Sequence, residues 1–119
     1  MLSGMKTLAD ITERIVAFRD ARDWKQFHTQ KDMALSLALE AAEVLEVFQW
    51  KSTEQIENEL PTLRDSLGKE LSDVLYWVLL MAHDAGIDID AAFARKMDEN
   101  KSKYPVELAK GSNKKYSDL

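Results

Sequence analysis

The chain has 119 residues, 45% of them hydrophobic, with three tryptophans, no cysteine and a formal net charge of −5. This is enough for one domain, residues 1–119, with a core of its own, and the lack of cysteine excludes disulfides, thiolate chemistry and zinc–cysteine sites. No run reaches the roughly 20 continuous apolar residues of a membrane span, and residues 1–100 carry eleven basic against nineteen acidic groups, which argues against a nucleic-acid polymer as partner.

The chain reads as helical almost throughout. Its first residues, MLSGMKTLADITERIV, are too charged for a secretory signal, which with the absence of cysteine leads us to expect a cytoplasmic protein. A first helix is expected from Met5 to about Asp20, with Leu8, Ile11, Ile15 and Phe18 on one 3,4-spaced face. The segment Asp23-Trp24-Lys25-Gln26-Phe27-His28-Thr29 breaks it. A second helix runs from Asp32 or Met33 to Trp50. Ser52-Thr53 opens a short polar segment in which Thr53 caps a turn holding Ile56 and Leu60. Pro61 suits the first turn of a third helix, which continues to Ala85 and stops at Gly86. Gly68 inside it allows a close helix contact or a kink, or is simply tolerated. Asp88 or Asp90 caps a fourth helix to about Lys103, and Pro105 limits it. The tail, 105–119, is expected to be irregular. Residues 101–119 carry five Lys against Glu107 and Asp118, so a basic tail follows an acidic body. It either folds over a bound anion or is a solvated terminus. No β-alternating run of convincing length is present, and the expected fold class is an all-α four-helix bundle.

Four carboxylates stand out. Glu40 and Glu43, and Glu70 and Asp73, are two i,i+3 pairs, each on one helix face. Between Leu35 and Phe48 the only polar residues are Ser36, Glu40, Glu43 and Glu46, and Leu71–Ala82 is almost wholly apolar. Helices apolar nearly all round are expected to be buried. Carboxylates there are costly unless paired, protonated or bound to metal. No Lys or Arg lies between Leu35 and Trp50 or between Leu71 and Asp84, so local pairing is not available. Converging acidic oxygens then suit a hard divalent cation, Mg2+ or alternatively Mn2+. Neither His28 nor His83 follows a Glu by three residues, so the Glu-x-x-His pairs of di-iron bundles are missing. Glu46 lies about 60° around from Glu43 and reads as solvent-facing.

Trp50, seven residues past Glu43, Trp77, one turn past Asp73, and Trp24 and His28 in the break before the acidic helices are each either core residues or walls of a base-stacking pocket. Lys96, Asn100 and Tyr104 share a third stripe, which either binds phosphate or completes a metal shell, or is an ordinary exposed face.

The runs FHTQKDMALSLALEAAEVLEVFQWK, KELSDVLYWVLLMA, KMDENKSKYP and KGSNKKYSDL resemble the all-α nucleoside triphosphate pyrophosphohydrolases of the MazG type, and within them the dCTP pyrophosphatase branch. The likeness covers Trp24 to Leu119. The family's Glu-x-x-Glu and Glu-x-x-Asp motifs fall on Glu40, Glu43, Glu70 and Asp73. The resemblance implies a MazG-like bundle and Mg2+-dependent hydrolysis between the α and β phosphates of dCTP or a modified dCTP. It also implies a homodimer, or a homotetramer built from dimers, with the active site near subunit contacts. By the same likeness Trp24, His28, Trp50 and Trp77 line a base pocket, and Lys96, Asn100, Tyr104, Lys114 and Tyr116 meet sugar or phosphate. Trp77 departs from the Tyr expected in that branch. Two other readings are another (d)NTP or phosphoribosyl-ATP as substrate, and a metal-stabilised helical interaction module without turnover. The intact carboxylate set argues against the latter.

Overall fold

The computed structural model describes residues 7–119, so the expected helix start at Met5 lies outside the described residues. The all-α expectation holds, with no strand among the described residues. The chain divides at Gly86 into two compact units.

The first unit contains three helices. α1 is Leu8–Ala21, opened by a capping box at Thr7. Thr7 Oγ1 accepts from the Asp10 N–H at 3.1 Å, and the Asp10 carboxylate accepts from the Thr7 N–H at 3.2 Å, so two orphan donors of the first turn are satisfied. After α1, Asp23 adopts φ +54°, a left-handed conformation that Asp tolerates better than most residues. The chain turns there into the 3-10 segment Lys25–Phe27.

α2 is Gln30–Glu46. It starts earlier than expected because Thr29 Oγ1 caps it, accepting from the Asp32 N–H at 3.1 Å. It ends four residues short of Trp50. There the bonds tighten to i→i−3, Val47 N–H to Val44 O at 3.3 Å and Phe48 N–H to Leu45 O at 2.9 Å, in a stretch of β-branched and aromatic residues with weak helix propensity.

α3 is Thr53–Asp84, a single helix of 32 residues. The cap is Ser52, not Thr53: its Oγ accepts from the Gln55 N–H at 3.2 Å, and Gln55 Oε1 accepts from the Ser52 N–H at 2.7 Å. That reciprocal cap is a stronger start signal than a proline, so Pro61, expected to open a new helix, lies inside this one. Gly86 at φ +69° follows its end, as expected of a C-terminal stop. A Cβ at Gly68 would meet nothing within 4 Å, so this glycine serves no close contact among the described residues.

α3 packs against both α2 and α1. The buried apolar residues are Ile15, Met33, Leu79, Leu80 and Ala82. This core is smaller than expected for two nearly all-apolar helices. Of α2 only Met33 is buried, and Leu35 and Leu39 are 56% and 68% exposed.

The second unit, Ile87–Leu119, contains α4, Ile89–Lys103. Asp88 Oδ1 caps it, accepting from the Ala91 N–H at 3.2 Å. The tail is not irregular throughout. Pro105 at φ −61° leads into α5, Val106–Ala109, as a ring with preset φ favours. Gly111 at φ +79° turns the chain, and Tyr116–Asp118 form a 3-10 turn.

Candidate active site

The two acidic pairs meet. One oxygen each from Glu40 and Glu43 on α2 and from Glu70 and Asp73 on α3 lie within 4.8 Å of one another. Glu40 and Glu70 are half-buried, whereas Glu43 and Asp73 are exposed. Glu40 Oε2 and Glu70 Oε2 are buried without a hydrogen-bond partner. Burial, followed by the hydrogen-bonding and charge of Glu43 and the charges of Asp73 and Glu70, pushes the Glu40 carboxyl up to about 7. Hydrogen bonding with Glu43 and then burial raise the Glu70 carboxyl. Glu46 stands outside the cluster. Among the described residues no Lys or Arg forms an ion pair with any of the four. Like charges this close cannot all ionise without compensation. Two orphaned buried oxygens in an all-oxygen donor set fit a hard divalent cation.

Beside the cluster is a pocket of about 370 Å³ lined by Phe18, Trp24, His28, Glu40, Asp73, Tyr76 and Trp77. It joins two of the carboxylates to a chain of edge-to-face rings. Phe18 meets Trp24 at 5.7 Å and Tyr76 at 6.4 Å, Tyr76 meets Trp77 at 4.9 Å, and Trp77 meets His28 at 5.2 Å between centroids. Such rings present a wall suited to a flat, partly polar ligand. His28 Nδ1 is buried without a partner. Burial chiefly raises the Tyr76 phenol, with Arg19 and Arg22 opposing, so the hydroxyl stays a neutral donor.

Of the aromatic residues picked from the sequence, the structure brings Trp24, His28 and Trp77 together. Trp50 is 88% exposed and lies outside the pocket, ten residues past Glu40 on the side away from His28. Phe18 and Tyr76 were missed as pocket residues. From the sequence Phe18 reads as part of the packing face of the first helix, and Tyr76 only as one residue of the apolar run Leu71–Ala82. The signal that could have marked both was their position beside chemistry already identified: Phe18 ends the apolar face just before the Trp24 turn, and Tyr76 is one turn from Asp73.

Lys96, Asn100, Tyr104, Lys114 and Tyr116 all fall in the second unit. There Lys96 Nζ lies 3.3 Å and Lys103 Nζ 3.6 Å from the Glu99 carboxylate. The Asn100 carbonyl accepts from the Tyr104 N–H at 2.8 Å. The Tyr104 and Tyr116 rings meet edge-to-face at 6.2 Å, and Lys103 Nζ sits 4.8 Å from the Tyr116 ring centroid. The tail thus returns one of its aromatics to the end of α4.

Residues 35–119 match the model of the MazG-like family. The chain is 41% identical over 115 residues to dCTP pyrophosphatase 1 of Rattus norvegicus and 38% identical over 115 residues to dCTP pyrophosphatase 1 of Homo sapiens, each match covering 95% of this chain and 68% of the relative. A crystal structure of a pyrophosphatase from Archaeoglobus fulgidus is similar with a TM-score of 0.77 at 35% identity, over 82% of this chain and 92% of that one.

Proposed function

We propose, from the premise that this chain belongs to the MazG-like family and is a nucleotide pyrophosphohydrolase, that it hydrolyses dCTP or a modified dCTP to the monophosphate and pyrophosphate with Mg2+. The observation that carries this reading is the junction of the four-carboxylate cluster with the aromatic pocket at Glu40 and Asp73. Trp24, His28, Tyr76 and Trp77 hold the base. Glu40, Glu43, Glu70 and Asp73 would hold Mg2+, which would supply positive charge to the phosphate oxygens and lower the pKa of the attacking water. The water oxygen bonds to the α phosphorus, the bond from that phosphorus to the α–β bridging oxygen breaks, and pyrophosphate leaves. One carboxylate of the four takes the water's proton. A nucleotide-pool substrate suits an enzyme of the cytoplasm.

Trp50 is part of the same reading. An 88% exposed tryptophan outside the pocket is suited to close a base site in a homodimer or homotetramer. On the same reading Lys96, Asn100, Tyr104, Lys114 and Tyr116 would meet sugar or phosphate.

The test is pyrophosphate release with Mg2+ over a panel of ribo- and deoxyribonucleoside triphosphates, including 5-substituted dCTP. The highest kcat/KM is expected for dCTP or its modified forms. A preference for a purine nucleotide would change the substrate, and no release from any nucleotide would sink the assignment.

A further inference from the structure

One buried charged pair in the first unit has no part in the chemistry above. Arg19, in the last turn of α1, is 1% exposed, and its guanidinium donates to the Asp84 carboxylate at 2.6 Å. Asp84, the last residue of α3, is 12% exposed. The Arg19 Nε lies 3.4 Å from Asp20 Oδ1. The backbone of Arg19 is engaged as well: its carbonyl accepts from the Arg22 N–H at 3.1 Å and from the Trp24 N–H at 3.2 Å. Arg19 therefore holds the turn that carries Trp24 with its carbonyl and holds the end of α3 with its side chain.

We propose that the Arg19–Asp84 pair positions the aromatic wall of the active site, setting Phe18 and Trp24 of the α1 end against Tyr76 and Trp77 of α3. Phe18 precedes Arg19 in the chain, and Trp24 is bonded to its carbonyl. Both line the pocket that reaches Glu40 and Asp73. His28, four residues past Trp24, lines the same pocket, and lines a second one together with Asp84. Edge-to-face rings tolerate small rotations, and buried apolar residues such as Ile15 on α1 and Leu80 on α3 resist separation of the helices more than rolling of one on the other. A planar guanidinium in a buried site has direction. A buried ion pair adds little net stability compared with apolar residues of the same size, so its stronger effect is on geometry.

This inference rests on the reading of the pocket as the base site, and its test separates the two. Arg19→Met combined with Asp84→Leu replaces the pair by apolar side chains of similar volume, and Asp84→Asn keeps the shape and an acceptor while removing the charge. In the double variant we expect a melting temperature within about two degrees of wild type, a KM for the preferred nucleotide raised about tenfold and kcat within about twofold. Amide exchange at Trp24 is expected to quicken at least about tenfold relative to the Leu80 amide of the core. Asp84→Asn should move KM and Trp24 exchange the same way by a smaller factor, and stands in for the double variant if that one does not fold. The exchange measurement needs no turnover, so it decides the role of the pair even if the wild-type protein cleaves no nucleotide. A folded variant with wild-type protection at Trp24, or with wild-type KM, would overturn the proposal.

Discussion

Glu40 is the residue whose surroundings are most costly. Burial and three neighbouring carboxylates push its carboxyl up from 4.5 to about 7, so the folded state binds this proton more tightly than the unfolded chain does. A carboxyl raised in this way contributes its stability at low pH and loses it as pH rises through the folded value. The protein in EDTA should therefore melt at a lower temperature at about pH 8 than at about pH 5, and Mg2+ should close that gap. Glu40→Gln should flatten the dependence. A melting temperature in EDTA that holds or rises over this range would contradict the crowded cluster. Asp73 shares the charge but is exposed, so Asp73→Asn removes repulsion without leaving a cavity. Turnover should be lost, with the metal-free stability kept or raised, and wild-type rates at ordinary Mg2+ would remove Asp73 from the ligand set. Trp50, 88% exposed, contributes almost nothing to the core of a single chain, so Trp50→Ala should fold normally. If it stacks on the base, KM should rise about ten- to hundredfold, since such stacking is worth about 1–3 kcal/mol. An unchanged KM and base preference would make it an ordinary surface aromatic.

The helices were legible in the sequence because their periodicity is strong, and their ends were legible where a single residue decides them. Gly86 and Asp88 fall where expected because a left-handed stop and an N-cap are local events. The Ser52 start was misplaced by one residue and Pro61 by a whole segment, because a reciprocal cap and a proline gave competing start signals and the cap prevailed. The end of α2 falls four residues earlier than the apolar pattern suggests, because Val47, Phe48 and Trp50 have weak helix propensity. The carboxylate cluster was readable from spacing alone, since two i,i+3 pairs on neighbouring helices need only face each other. Phe18 and Tyr76 were not readable as pocket residues, because a residue that closes a helix–helix contact and one that lines a cavity obey the same apolar period. Gly68 lies inside α3 with open space where a Cβ would stand, and glycine costs a helix interior about 1 kcal/mol against alanine. Gly68→Ala should raise stability by about 0.5–1 kcal/mol in urea unfolding. A loss instead would show that another surface approaches α3 at this point.

At the scale of the whole molecule the chain leaves its acidic helices half-covered. Leu35 and Leu39 on α2 and Leu71 and Leu75 on α3 are exposed i,i+4 pairs, and each pair makes a stripe on one helix face. Completing the burial of a half-exposed leucine is worth about 1 kcal/mol, so a two-fold interface that covers all four on both copies gains about 8 kcal/mol. That offsets much of the roughly 4–15 kcal/mol lost in association, and other exposed apolar side chains of the same helices, among them Leu45 and Leu60, add to the gain. Two consequences follow for solution. The wild-type protein should be a homo-oligomer at micromolar concentration, with a mass by light scattering that is a multiple of 13.6 kDa. A single charge on the stripe should then be enough to dissociate it, because a buried unpaired carboxylate costs more than one leucine gains. Leu39→Glu should run as a monomer and lose nucleotide affinity if a second copy helps close the pocket. A wild-type protein that runs at 13.6 kDa throughout would mean that the exposed leucines face water in the working enzyme, and that the pocket on α1, α2 and α3 binds its nucleotide without a second copy.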